Sequence, residues 1–249
     1  MVKGLELFRK HFMVYAENYV LIGGAACEVL LDRAGLPFRV TRDLDIVLCV
    51  ESLDAEFGNA FWDFVKAGGY KIQEKASGKK KFFRFRNPVN SEFPEMLELF
   101  SRQPDTFSMA NESQLTPIPF NDEVSSLSAI LLNNDYYAFI QNHKIQIDGL
   151  SLISPESMII LKAKAWLDLS ERRQRGEKVD ARNIKKHKND VCRLFAVLSS
   201  TPPMPLPTNI RNDITDFLKH LESETVDFKA LGLPFTMGEV ISGLNKMFA

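Results

Sequence analysis

The sequence has little net charge, few cysteines and no long hydrophobic run, and each shortage excludes a class of protein. Its 31 Lys and Arg residues against 32 Asp and Glu give a formal charge of -1, so contact with a polyanion must come from a local basic cluster. The three cysteines, Cys27, Cys49 and Cys192, lie far apart and are odd in number, which excludes a disulfide framework and a Cys-x-x-Cys zinc site. The longest apolar stretch, residues 19–31, is interrupted by two glycines and a glutamate and is too short to span a bilayer.

Several signatures of enzymes and of secretion are also missing. The four histidines form no His-Glu-x-x-His motif or other paired-ligand spacing, which argues against a zinc site. The sequence contains no phosphate-binding loop of the NTPase or dehydrogenase type and no nucleophile elbow of the hydrolase type. The first six residues hold no apolar core typical of a signal peptide. We therefore expect a cytoplasmic protein that does not associate with a membrane.

Hydrophobic periodicity predicts an α+β architecture in two domains. Strands and helices alternate up to about residue 153, which indicates a mixed sheet with flanking helices in domain 1–153. After Ser154 and Pro155, an N-cap and a first helical residue, the pattern is helical only and predicts a helical domain, 154–249. Strands are predicted at 19–22, 44–50, 71–73, 82–86, 96–100, 127–132 and 144–147, and helices at 5–13, 25–32, 54–66, 136–140, 156–173, 188–198, 209–221 and 237–248.

Two acidic side chains in the second predicted strand are the first candidates for chemistry. Residues i and i+2 of a strand point to the same face, so Asp43 and Asp45 project together while Leu44 and Ile46 face the core. Two neighbouring carboxylates repel each other unless a cation lies between them. Magnesium fits this requirement because it takes oxygen ligands and joins one or two carboxylates to phosphate oxygens.

A glycine pair between the first strand and the next helix is the second candidate. Gly23 and Gly24 end the apolar run 19–22 and precede a predicted helix. A turn of this kind brings backbone N–H groups close to a phosphate, and the N-terminus of the helix adds partial positive charge. The order of glycine turn, helix and acid pair on the following strand therefore predicts a triphosphate site beside a metal site.

These segments resemble a known family. Residues 21–26, Leu-Ile-Gly-Gly-Ala-Ala, together with Arg39, Thr41, Asp43, Leu44 and Asp45, are similar to the nucleotidyltransferases of the AbiEii abortive-infection toxin group, within the polymerase-β-like superfamily. The resemblance implies two magnesium ions, with manganese as an alternative, and a third carboxylate on a later strand. Glu98 is our choice for that carboxylate, with Glu92 and Glu95 as alternatives. The superfamily's common turn is Gly-Ser, and Gly24 lacks the hydroxyl.

The resemblance extends into the predicted helical domain. Lys162, in a helix that follows Pro155, and the basic segment 185–191 resemble motifs of the family. The nucleotide-binding residues that the resemblance implies are Gly23, Gly24, Arg39, Thr41, Lys162, Lys188 and Asp190.

The function implied is a magnesium-dependent nucleotidyltransferase. It would move a nucleoside monophosphate from an NTP to an acceptor hydroxyl of RNA, such as a tRNA end, or of a protein, and it would be a toxin with an antitoxin partner. Asp43, Asp45 and Glu98 would hold the metal. Two alternatives stay open: a non-catalytic nucleotide- or nucleic-acid-binding module of the same fold, and a transferase acting on a small molecule such as an antibiotic. The basic clusters 77–86 and 171–178 suit solvated surface better than a binding site, although the first could contact RNA phosphates.

Overall fold

The computed structural model describes residues 2–74, 80–102, 115–118, 127–198 and 203–248. The chain divides into two compact units, of which the first comprises Met1–Asp32 with Pro37–Ser154, and the second Arg33–Leu36 with Pro155–Ala249. No helix in the described part of the chain has the length and apolar character needed to cross a membrane.

The first unit is built on one mixed sheet. Seven of its strands run in the order β3-β4-β5-β2-β1-β9-β8, while β7 pairs with β5 and β6 pairs with β7. The pair β1–β2 is antiparallel, whereas β2–β5 and β1–β9 are parallel. The strands are β1 Tyr19–Ile22, β2 Asp43–Leu48, β3 Lys71–Glu74, β4 Lys80–Arg86, β5 Met96–Ser101, β6 Leu115–Ile118, β7 Leu127–Leu131, β8 Lys144–Ile147 and β9 Leu150–Ile153.

Helices and an aromatic cluster accompany this sheet. The rings of Phe8, Phe12, Tyr19 and Phe64 lie 4.5–6.2 Å apart in successive contacts, at the separations that favour aromatic pairs. Tyr19 belongs to β1, and Val20 and Leu21 after it are also fully buried, so both faces of β1 are covered and its apolar run is continuous and not alternating. The helices are α1 Leu5–Phe12, followed by a 3₁₀ turn Met13–Tyr15, α2 Gly23–Arg33, α3 Ala55–Gly68 and α4 Asn134–Asn142.

The second unit is helical. Helix α5 packs against both α6 and α7, and the rings of Trp166 and Phe217 meet edge to face at 5.5 Å in its core. Asp180 caps α6 by accepting a hydrogen bond from the backbone N–H of Arg182 at 2.9 Å. The helices are α5 Pro155–Gln174, α6 Ala181–Phe195, α7 Thr208–Leu221 and α8 Met237–Phe248.

The mixed sheet with flanking helices and the helical region that follows it confirm the predicted α+β class. Every predicted helix and strand is present, but α6 begins at Ala181 and not at residue 188. Strands β6 and β9 were not predicted. The structure divides the chain between Ser154 and Pro155, apart from residues 33–36; the assignment of residues 1–153 and 154–249 as domains stays a prediction.

Candidate active site

The acid pair lies where the alternation of β2 places it. Asp43 and Asp45 are partly exposed, whereas Leu44 and Ile46 between and after them are fully buried. The two carboxylates therefore share the face of the sheet opposite to the one that carries Leu44 and Ile46.

Pairing between strands brings Glu98 beside this pair. In the parallel ladder of β2 and β5, Asp45 is in register with Glu98, and Asp43 is in register with Met96. Residues in register across a ladder point to the same face and lie about 5 Å apart. Three acidic residues, Asp43, Asp45 and Glu98, are thus neighbours on one face of the sheet.

An arginine on β4 completes the same row. Arg84 is in register with Glu98 in the antiparallel ladder of β4 and β5, and its guanidinium forms an ion pair with the Glu98 carboxylate through both Nε and Nη2. The side chains are 26% and 12% exposed, so water screens this pair only in part. Partial burial and the neighbouring Arg86 lower the pKa of Arg84, while Asp45 and Asp43 act in the opposite direction.

The glycine turn is closely fitted to Asp45. Strand β1 passes directly into α2 at Gly23, which adopts a left-handed φ of 70°. A β-carbon added to Gly23 would lie 1.8 Å from Oδ2 of Asp45, so the Asp45 carboxylate lies against the start of the helix. The first N–H groups of a helix have no partner within the helix, and they give its N-terminus its affinity for anions.

Thr41 and Arg39 lie at the same turn. A β-carbon added to Gly24 would be 2.5 Å from Oγ1 of Thr41 and 3.5 Å from a guanidinium nitrogen of Arg39. The Arg39 guanidinium also lies 4.9 Å from the centre of the Phe38 ring. Five of the predicted residues, Gly23, Gly24, Arg39, Thr41 and Asp45, are therefore gathered at the N-terminus of α2.

The acidic residues fit a metal ion only in part. Asp43 and Asp45 offer the adjacent carboxylates with which magnesium is bound in many phosphate-transferring sites. Nevertheless, across the described ranges no three Asp, Glu, His or Cys side chains are placed to hold one ion together. The Glu98 carboxylate is instead in contact with Arg84 of β4.

The two alternatives to Glu98 lie elsewhere. Glu95 precedes β5 and forms an ion pair with Arg42 at 3.0 Å, in which both side chains are well exposed. Glu92 is exposed in the turn before β5. Neither residue is on the strand that runs beside the acid pair.

The three predicted nucleotide-binding residues of the helical region lie in the second unit. Lys162 and Asp190 form an ion pair at 3.2 Å with side chains 5% and 0% exposed. Arg193 also approaches Asp190, at 3.4 Å. Lys188 forms an ion pair with Glu224 and donates to the carbonyl oxygen of Thr225 at 2.9 Å. Within this unit the Lys162–Asp190 pair connects α5 with α6, and Lys188 connects α6 with the segment after α7. Contact of these three residues with a nucleotide stays a prediction.

The structure describes the basic cluster 77–86 only in part and the basic cluster 171–178 in full. Residues 77–79 lie outside the described residues, and of residues 80–82 only the backbone is described. Residues 171–178 are exposed and form local ion pairs such as Arg172–Glu177 at 2.7 Å.

Sequence reasoning missed a polar network at the other end of β2 and β5. The hydroxyl of Tyr137 accepts a hydrogen bond from Val50 N at 2.8 Å and donates to Glu51 at 2.5 Å. Arg102 donates to the same carboxylate at 2.9 Å. The residues border a cavity of about 480 Å³. This network joins α4 to the sheet. Its members come from three separate segments of the chain, so no local sequence pattern could have predicted it.

No protein-family model matches the sequence, and no curated protein matches it. Solved structures do resemble it. An antigenic nucleotidyltransferase-like protein from Paracoccidioides brasiliensis is 16% identical at a TM-score of 0.43, over 92% of this chain and 93% of that one. A protein from H. pylori described as a candidate nucleotidyltransferase is 16% identical at a TM-score of 0.41, over 98% and 91%. The protein JHP933 from Helicobacter pylori is 15% identical at a TM-score of 0.35, over 100% and 92%. At these identities and TM-scores, the activity of this chain has to be argued from its own site residues.

Proposed function

We propose that this chain is a magnesium-dependent nucleotidyltransferase that moves a nucleoside monophosphate from an NTP to an acceptor hydroxyl. The observation that carries the proposal is the contact between the glycine turn and the acid pair: a β-carbon at Gly23 would lie 1.8 Å from Oδ2 of Asp45. A phosphate bound to the N-terminus of α2 is therefore beside a carboxylate able to hold its metal ion.

Each residue of the site has a role in this proposal. The N–H groups at the start of α2 bind the triphosphate, and Arg39 and Thr41 contact its oxygens from the same turn. Asp43 and Asp45 hold magnesium. Glu98 is the third carboxylate, because it is the cross-strand neighbour of Asp45, whereas Glu95 pairs with Arg42.

The reaction is an in-line attack of the acceptor oxygen on the α-phosphorus. A new P–O bond to the α-phosphorus forms and the hydroxyl proton passes to water. The bond between the α-phosphorus and the oxygen that bridges to the β-phosphate breaks, and pyrophosphate leaves with the electron pair of that bond. The chemistry that bound magnesium supplies is a lowered pKa of the attacking hydroxyl and a counter-charge for the pyrophosphate. The protein contributes position and a preorganised field and not a covalent nucleophile.

The experiment that tests this function compares three purified proteins: the wild type, an Asp43→Ala/Asp45→Ala variant and a Glu95→Gln variant. Glu95→Gln is the control, because Glu95 pairs with Arg42. Each is incubated with magnesium, total RNA, cell extract and one of the four α-labelled nucleoside triphosphates. We expect labelled RNA or protein with the wild type and with the control only. The labelled product identifies the acceptor class and the preferred base. Equal label with the double variant would overturn the assignment of the metal ligands.

The resemblance to the AbiEii group supports a role as the toxin of a toxin–antitoxin pair. We expect induced expression of the wild type to arrest growth and expression of the Asp43→Ala/Asp45→Ala variant to leave growth unchanged. Arrest by both proteins would contradict a toxic activity that depends on nucleotidyl transfer. The antitoxin is then sought as the protein whose co-expression restores growth.

One observation favours a second function, a binding module without catalysis. The Glu98 carboxylate is held by Arg84, as it would be in a site that no longer uses three acids. Magnesium-dependent binding of a triphosphate without any transfer to RNA, protein or small hydroxyl compounds would support that function.

A further inference from the structure

Side chains on one face of the sheet form two parallel rows across β4, β5 and β2. The first row is Arg84, Glu98 and Asp45, and the second is Arg86, Met96 and Asp43. The rows differ at the middle position, where the first has a carboxylate and the second has a neutral thioether. Arg86 accordingly donates to the Met96 sulfur at 3.2 Å, whereas Arg84 forms a charged pair with Glu98.

Glu98 therefore has two competing neighbours. On one side lies Asp45, whose negative charge repels it unless a cation is shared between them. On the other side lies the Arg84 guanidinium, a cation whose Nε and Nη2 both contact Oε1 of the carboxylate. A guanidinium keeps its proton, and so its positive charge, at ordinary pH. Without a metal ion, Arg84 is the partner of Glu98.

We infer that Arg84 is a displaceable counter-ion of the candidate metal site: it holds Glu98 away from Asp43 and Asp45 until a divalent cation competes for the carboxylate. This inference rests on the proposed function, because it assumes that the acid pair binds a metal ion. It accounts for the finding that the three acids are neighbours in register and yet are not arranged around one point.

The inference makes metal affinity depend on Arg84 in a defined way. A cation shared by all three acids competes with Arg84 for the charge of the Glu98 carboxylate, and this competition weakens the apparent affinity. An Arg84→Gln variant removes this competitor and leaves Glu98 available, so we expect it to bind divalent cations roughly tenfold more tightly, which corresponds to a coupling of about 1.4 kcal/mol. Arg86→Gln is the matched control, since Arg86 lies two residues away on the same face beside neutral Met96.

The experiment measures binding of Mn²⁺ to the full chain by the electron paramagnetic resonance signal of the free ion. The proteins are the wild type, Arg84→Gln, Arg86→Gln, Glu98→Gln, Arg84→Gln/Glu98→Gln and Asp43→Asn. We expect tighter binding with Arg84→Gln, a change of less than about twofold with Arg86→Gln, and loss of the gain in the Arg84→Gln/Glu98→Gln protein. A gain that persists in that double variant, or equals the gain of Arg86→Gln, means that Arg84 acts only through its general charge and overturns the inference.

Failure of the inference can be told apart from failure of the proposed function. If Asp43→Asn abolishes Mn²⁺ binding but Arg84→Gln binds no more tightly than the wild type, the inference is wrong and the metal site stands. If Arg84→Gln binds no Mn²⁺ at all, or if Asp43→Asn binds as the wild type does, both are wrong. Thermal unfolding provides a readout without activity: the midpoint of Arg84→Gln rises more with Mn²⁺ than that of the wild type. Should Arg84→Gln fail to fold, Arg84→Lys, which keeps the charge but loses the guanidinium, is expected to bind Mn²⁺ more tightly than the wild type; equal affinity would overturn the inference.

Discussion

The carboxylate of Asp45 occupies the space that a side chain at position 23 would need. An ideal β-carbon on Gly23 lies 1.8 Å from Oδ2 of Asp45 and 2.8 Å from its carboxyl carbon. Gly23 also has a φ of 70°, which L-residues other than glycine adopt at a cost. The glycine is thus required twice, once by its backbone and once by the acidic residue on the neighbouring strand.

Replacement of Gly23 by alanine tests both requirements. Strain in the left-handed region costs about 1–2 kcal/mol, and displacement of Asp45 adds to the loss and removes activity. Gly35→Ala is the matched control, because Gly35 has a φ of 69° and nothing within 4 Å of its added β-carbon. Urea unfolding should show a larger loss of stability for Gly23→Ala than for Gly35→Ala; equal losses would contradict the contact with Asp45.

Gly24 is required by space alone, since its φ is not left-handed. A β-carbon there meets Thr41 Oγ1 at 2.5 Å, so we expect Gly24→Ala to destabilise the protein by about 1–2 kcal/mol. The double variant Gly24→Ala/Thr41→Ala should lose less than the sum of the single variants, by at least about 0.5 kcal/mol in urea unfolding. Gly238→Ala is the control, because Gly238 is likewise the second residue of a helix but has nothing within 4 Å. Additive losses would show that Thr41 does not limit the space.

The buried pair of Lys162 and Asp190 is expected to support the fold of the second unit. Lys162→Met leaves a fully buried carboxylate without this partner and should cost about 3 kcal/mol. Lys164→Met is the control, because Lys164 is 36% exposed and pairs with Asp168 and Asp213 at the surface; it should cost less than about 1 kcal/mol. If Lys162→Met unfolds like the wild type but binds triphosphate more weakly, Lys162 contacts the nucleotide instead.

The three thiols are expected to be unreactive in the native protein. Cys27, Cys49 and Cys192 are buried, and burial raises the pKa of Cys49 to about 11 and that of Cys192 to about 12. At pH 8 the thiols of Cys49 and Cys192 are therefore protonated, whereas the thiolate is the nucleophile. A disulfide reagent at pH 8 should modify none of the three natively and all three in denaturant. Rapid modification of a native thiol would contradict this burial.

Local sequence was sufficient for most of the elements but not for their ends. Helix α6 begins seven residues before its predicted start because residues 181–187 are mostly polar and lack an apolar period. The N-cap Asp180 was the available signal. Strand β6 contains Pro117, which argues against a strand.

The core of the candidate site was predictable because its signals are local. Alternation placed Asp43 and Asp45 on one face, and the glycine pair marked the start of α2. The Arg84–Glu98 pair was not predictable, since it depends on the register of β4 against β5, and register is a property of the assembled sheet. Packing between helices is likewise a property of the assembled fold, so the sequence could not indicate that Lys162 of α5 pairs with Asp190 of α6.

The position of β1 in the sheet has a consequence for the order in which the protein is made. Strand β1 lies between β2 and β9, and Leu21 is in register with Leu152. Nearly the whole first unit must therefore leave the ribosome before β1 gains its second neighbour, and contacts between such distant segments form slowly. Until then β1 has an open edge, the kind of surface on which strands of other chains can pair. The strand that leads into Gly23 thus stays unprotected on one side from the synthesis of β2 to the synthesis of β9.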